Sequence, residues 1–123
     1  MLFSKERMVY RKMKVVQLCG KITELEPTVY WKNFQDAEDA IKKVYPSVIV
    51  INPVKLCNYL TVVFEGKGSP TYNHYMDVCL ASLKNVDALI VMDNAYDSNG
   101  GRTEMKEAFK LGKDIMSMET FLG

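Results

Sequence analysis

The sequence predicts an α/β fold: a mostly parallel sheet with helices on both faces. Three observations carry this. Short apolar runs, Val15 to Cys19, Val48 to Ile51 and Ala88 to Met92, read as buried strands. Between them lie segments whose apolar residues recur at three- and four-residue steps, the spacing of a one-faced helix. Glycine, proline or asparagine marks most changes between the two patterns.

Taken in order, Val15-Val16-Gln17-Leu18-Cys19 is a first strand buried on both faces, ending at Gly20. Gly20 to Thr28 reads as a loop, with Pro27 as punctuation. Tyr30 to Val44 is helical, with Phe34, Ala37, Ala40, Ile41 and Val44 on its apolar side, and Pro46 ends it. The β-branched Val48-Ile49-Val50-Ile51 is a second central strand closed by Asn52-Pro53. Val54 to Pro70 is ambiguous: Leu60 to Phe64 fits a strand or part of a lid, and Gly66, Gly68 and Pro70 break it. Tyr72 to Lys84 is helical, with Tyr75, Met76, Cys79, Leu80 and Leu83 as its stripe. Ala88 to Met92 is the third strand. A helix follows Ser98-Asn99-Gly100-Gly101; Met105, Ala108, Phe109 and Leu111 face the core and Gly112 stops it. Ile115 to Met118 is a last short strand. No internal repeat or low-complexity segment is present.

The 123 residues suit one domain, with a basic lead-in over 1–13 and a single domain over 14–123. Charge is nearly balanced, 16 Lys and Arg against 15 Asp and Glu, which argues against a nucleic-acid polymer as partner. No apolar run approaches the ~20 residues of a membrane span, and no signal peptide is visible, so a cytoplasmic protein is expected. The three cysteines, Cys19, Cys57 and Cys79, are far apart and sit among apolar neighbours. They read as buried thiols in a reducing compartment. With His74 the one histidine, there is no metal-ligand spacing, and no metal or cofactor is expected.

In parallel sheets ligands bind beyond the carboxyl ends of the strands. That gathers Gly20 to Glu24, Asn52-Pro53 and Asp93 to Gly101 on one rim. Ser98-Asn99-Gly100-Gly101 opens a helix, where backbone N–H groups favour an anion and glycine permits close approach. Ser98 or Asn99 is alternatively an ordinary N-cap, but capping does not explain two adjacent glycines. Neither a dinucleotide fingerprint nor a phosphate loop is present. The acidic candidates are Asp77, Asp93, Asp97 and Glu104. A helix start stabilises the anion of Glu104, whereas a solvated helix face is the plain alternative. Asp77 lies beside an apolar stripe, or else pairs with Lys84 or Arg102.

These residues resemble the nucleoside 2-deoxyribosyltransferase superfamily, and within it most of all the small phage and bacterial family DUF4406. The likeness runs from Val15 to Met118. Its markers are Cys19-Gly20-Lys21-Ile22-Thr23-Glu24, similar to the family's Ser-Gly-Pro-Ile-Thr-Gly; Asn52-Pro53; Tyr75-Met76-Asp77 leading to Val86-Asp87-Ala88; and Ser98-Asn99-Gly100-Gly101-Arg102-Thr103-Glu104, similar to Ser-x-Gly-(Ala or Gly)-x-x-Glu. Lys21 and Glu24 depart from the usual proline and glycine. Lys21 either pairs with a phosphate or is a surface lysine.

The resemblance implies a flavodoxin-like, Rossmann-type three-layer sandwich with four or five strands. It implies cleavage or transfer at the N-glycosidic bond of a 2′-deoxynucleoside or its 5′-monophosphate. Glu104 would trap the sugar covalently at C1′. Asp77 would hold a sugar hydroxyl or, protonated, help the base depart, leaving Glu104 as the anion. Gly20, Lys21, Ile22, Thr23, Asn52, Asp93, Ser98, Asn99, Gly100 and Gly101 would bind substrate. No cofactor is implied, and a homodimer or larger homo-oligomer is expected. Tyr30 and Trp31 serve either that interface or base stacking. A binding module for a nucleotide or nucleotide-derived signal, and an interaction protein that kept only the fold, are the competing readings.

Overall fold

The computed structural model describes residues 13–123. The basic lead-in expected over 1–13 lies outside them except for Met13, which is buried. The elements are β1 (Val15–Cys19), α1 (Pro27–Val44), β2 (Ile49–Ile51), α2 (Pro53–Val63), α3 (Tyr72–Ser82), β3 (Ala88–Val91), α4 (Asn99–Lys110), β4 (Asp114–Ser117) and α5 (Met118–Leu122). Short 3₁₀ turns follow α3 and β3.

The four strands form one all-parallel sheet in the order β2-β1-β3-β4. Helices cover both faces, giving a flavodoxin-like three-layer sandwich. On one face Phe34 and Ile41 of α1 and Phe121 of α5 pack on Val16, Leu18 and Ile90. On the other, Leu83, Ala95 and Ala108 pack on Cys19, Leu89 and Val91, with α2, α3 and α4 packed side by side. The chain leaves β1 in one direction to form β2 and returns past it to form β3. The carboxyl ends of β1 and β3 therefore flank the point where the winding reverses, where such sheets open a crevice. At the opposite end, the Asp87 carboxylate accepts the Lys14 and Val15 N–H groups at 2.7 and 2.9 Å, tying β1 to β3. Those bonds hold the Asp87 carboxyl below its usual range. Among the described residues no helix is long and apolar enough to cross a membrane.

Four elements depart from expectation. The ambiguous stretch after Asn52 is a helix rather than a strand or lid. Asn52 caps it, its Oδ1 accepting the Val54 N–H at 3.1 Å, and Pro53 takes the first helical position, where its missing N–H costs nothing. The stripe was illegible because apolar residues surround this helix: Tyr59, Val62 and Val63 are exposed. Pro27 likewise opens α1 instead of punctuating a loop. β2 is an edge strand, not a central one, and Ile49 is 55 % exposed. Phe109 and Leu111 do not face the core; Phe109 is 81 % exposed, because the buried line of α4 runs through Gly101, Glu104 and Ala108.

Gly101 sets the approach of α4. A Cβ there would lie 2.6 Å from the Ala95 carbonyl oxygen, a backbone atom that cannot swing aside. The nearest neighbours of a Cβ on Gly100 would be the Tyr72 hydroxyl at 3.1 Å and the Met76 sulfur at 3.2 Å, the ends of movable side chains. Gly101→Ala is expected to cost about 1–3 kcal/mol in urea unfolding. Gly100→Ala should be near neutral, because the helix gains propensity. Equal losses at the two positions would contradict this packing.

Candidate functional site

A cavity of about 260 Å³ opens beyond the carboxyl ends of β1, β2 and β3. The turn after β1 contributes Gly20, Ile22 and Thr23; α1 contributes Tyr30, Trp31 and Phe34. The start of α2 gives Pro53, Val54, Cys57, Asn58 and Thr61, and α3 gives Tyr72, Tyr75, Met76 and Cys79. Ser98, Gly100, Gly101 and Glu104 complete it from α4 and its cap. Among the described residues, Glu104 is the one Asp, Glu, Lys, Arg or His side chain in this lining.

Each part of the α4 contribution has a local cause. Ser98 is the N-cap, with extended backbone and its Oγ accepting the Gly101 N–H at 3.2 Å. The cap and the glycine pair are thus one device, and Gly101 lets the helix pack on the Ala95 carbonyl while it lines the cavity. Glu104 is the sixth residue of the helix, so its side chain projects down onto the sheet between β1 and α3. It is 6 % exposed, and its Oε2 has no hydrogen-bond partner among the described residues. Beneath it lies Gln17 of β1, fully buried, donating from Nε2 to the Cys79 carbonyl at 3.1 Å while its own Oε1 also lacks a partner. Gln17 lies close enough to interact with the Glu104 carboxyl, and of the two side chains Glu104 alone lines the cavity. A buried carboxyl oxygen without a partner is costly, and a ligand hydroxyl or amine reaching Glu104 would satisfy it.

Burial pushes the Glu104 carboxyl up to about 8, with the neighbouring Cys57 adding to the shift and the approach of Gln17 and Cys19 opposing it. Burial likewise pushes the Cys19 thiol up, and Glu104 adds to that. The expected anionic Glu104 is therefore corrected: the side chain rests neutral at pH 7. The helix N-terminus stabilises an anion only within its first turn, and Glu104 lies in the second, where desolvation wins.

The remaining expected residues divide. Gly20, Ile22, Thr23, Ser98, Gly100 and Gly101 line the cavity. Lys21 and Asn99 line an adjoining hollow with Glu24 and Asp97. There the Lys21 ammonium lies 3.6 Å from the Glu24 carboxylate, and Glu24 holds a left-handed φ of 71°. That conformation is one glycine adopts freely, which fits the glycine of the resembling motif. Asn52 is absorbed by its cap and by donation to Glu38 at 3.3 Å. Asp93 is exposed and outside the lining. Asp77 is also exposed and outside it, so the two acids do not converge within the chain. Asp77 falls on the solvent side of α3, whereas Met76 and Cys79 carry the wall.

Several residues were missed. Gln17 was readable as a polar residue inside a doubly buried strand. Cys57, Asn58 and Thr61 were hidden by the ambiguity of α2. His74 is committed to capping: its Nδ1 accepts the Thr71 N–H at 2.8 Å. Among the described residues no group of three or more His, Cys, Asp and Glu is arranged to hold a metal ion.

Comparison with known families is decisive at one level. The family described as "Domain of unknown function (DUF4406)" matches residues 14–117. The chain belongs to this family. The DUF4406 match spans all four strands and α1 to α4, so every residue lining the cavity falls inside it. No curated protein and no solved structure matches the chain.

The shift at Glu104 has a thermodynamic consequence. The folded state keeps this proton up to about pH 8, whereas the unfolded chain releases it near 4.5. Stability from this group is therefore full below about pH 4.5, declines as pH rises, and levels off above about 8. The slope is at most about 1.4 kcal/mol per pH unit. Glu104→Gln should flatten the melting temperature between pH 5 and 8 and exceed the parent at about pH 8. Parallel profiles for parent and variant would contradict a neutral buried Glu104.

Proposed function

We propose that this DUF4406 protein acts on the N-glycosidic bond of a 2′-deoxynucleoside, with Glu104 as the group that meets C1′ of the sugar. The observation that carries the reading is a single buried carboxyl, with an unpartnered oxygen, inside a cavity walled by aromatic rings. Tyr30, Trp31, Phe34, Tyr72 and Tyr75 offer flat apolar surface for a base. The unpaired oxygen of Glu104 offers a hydrogen-bond partner to a sugar hydroxyl. The resemblance of the Ser98 to Glu104 element to the nucleoside 2-deoxyribosyltransferases supports the same assignment.

In the proposed reaction the ionised Glu104 attacks C1′ as the C1′–N bond breaks. The bonding pair leaves with the base, which takes up a proton. A second base or water then attacks C1′ and frees the carboxylate, giving transfer or hydrolysis with retention. Developing positive charge on the sugar favours the anion of Glu104 at the moment it is needed. Because Asp77 lies outside the cavity, the proton for the leaving base comes through the open mouth from solvent. Among the described residues the lining holds no cation, and Lys21 next door is paired with Glu24. These features favour the uncharged nucleoside over its monophosphate.

Incubation with each deoxynucleoside and its monophosphate, followed by chromatography of free base, tests the reading. Base should be released from a deoxynucleoside. Release in Glu104→Gln should fall by at least ~100-fold, a loss of the size seen for key groups. For the parent, kcat/KM should rise with pH until about 8 and then level, following ionisation of Glu104. Undiminished release by Glu104→Gln would overturn the assignment. Thermal stabilisation by a nucleotide with no base release would instead establish the binding-module reading.

A further inference from the structure

Cys57 on α2 and Cys79 on α3 are both buried, free and in the wall of the cavity, and their sulfur atoms lie 3.7 Å apart. They are 22 residues apart in sequence and meet only because α2 and α3 pack against each other. Cys19, the third thiol, is directed elsewhere, toward the Gly101 carbonyl oxygen at 3.5 Å. We propose that Cys57 and Cys79 form a reversible disulfide that ties α2 to α3 in the cavity wall beside Glu104.

The sulfurs are already in van der Waals contact, and a disulfide draws them to ~2.0 Å. The link joining the two helices contains Gly66 and Gly68, both at positive φ and both in open space, so the helices can adjust by a small shift. The two thiols are also unequal. The hydrogen bond between them pulls the Cys57 thiol down, whereas that same bond and burial push Cys79 up. In the exchange Cys57 attacks first and Cys79 resolves.

The oxidant is a low-molecular-weight disulfide such as oxidised glutathione. The Cys57 thiolate attacks one of its sulfurs, forming a mixed disulfide and expelling a thiolate that takes a proton. Cys79 then loses its proton, attacks the Cys57 sulfur and expels the second small thiol. The two cysteines lose two electrons and two protons in all, and the oxidant becomes two thiols. The cross-link would clamp the wall that carries Tyr72, Tyr75 and Met76, making ligand access depend on redox state. This proposal does not rest on the reaction assigned to Glu104.

The test uses the full chain, folded, in buffers of graded oxidised to reduced glutathione. Free thiols should fall from three to one, and peptide mapping should link Cys57 to Cys79. Dithiothreitol should restore all three. Cys19→Ser should cross-link as the parent does, and Cys57→Ser and Cys79→Ser should not. A stable glutathione adduct without the internal link would overturn the proposal. So would a link that involves Cys19, or one that forms only in urea.

Discussion

One constraint organises this molecule: a glutamate carboxyl is held against the middle of a parallel sheet with too few hydrogen-bond donors to keep it charged. A folded domain gains nothing in stability from such a group. Its burial raises the free energy of the folded state by an amount that grows from acid to neutral pH. Placement of Glu104 depends on how closely α4 approaches the sheet. That approach depends on Gly101 beside the Ala95 carbonyl and on Ser98 capping the helix start. The neighbouring Gln17 occupies a strand position that its flanking residues fill with apolar side chains. A local arrangement that departs from the rules of a good core in three adjacent places points to a site rather than to packing.

The fold explains why this place is a cavity. The winding of the sheet reverses between β1 and β3, so no crossover fills the space above their carboxyl ends. α1 and α3 stand on either side and lend it aromatic walls, and α2 contributes the thiol at position 57. The same packing that builds the walls brings Cys57 and Cys79 together. The chemistry proposed at Glu104 and the redox chemistry proposed at the thiols would therefore share one boundary.

Much of this was legible in the chain. Apolar runs located all four strands, and the Ser98 to Glu104 element marked a helix start that borders the cavity, because strand burial and helix capping are local properties. The same reasoning failed where a decision depended on partners distant in sequence. Whether β2 is central or at an edge depends on sheet order. Whether Gly101 faces a ligand or a carbonyl depends on the turn at Ala95. The helix dipole and desolvation pull the Glu104 carboxyl in opposite directions, and only the depth of its position decides between them. Asp77 illustrates the limit most simply: a step of one residue on α3 separates Met76 in the wall from an acid in solvent. The α2 stripe was unreadable because its outer face is as apolar as its inner one.

The account rests on Glu104 being neutral when the site is empty. The most direct test is carbon-detected NMR titration of the side-chain carboxyls in uniformly labelled protein, with Glu104→Gln to assign the signal. One carboxyl should titrate near pH 8, far from all others, and vanish in the variant. A Glu104 signal that titrates near the ordinary value of 4.5 would show a solvated anion and contradict the account.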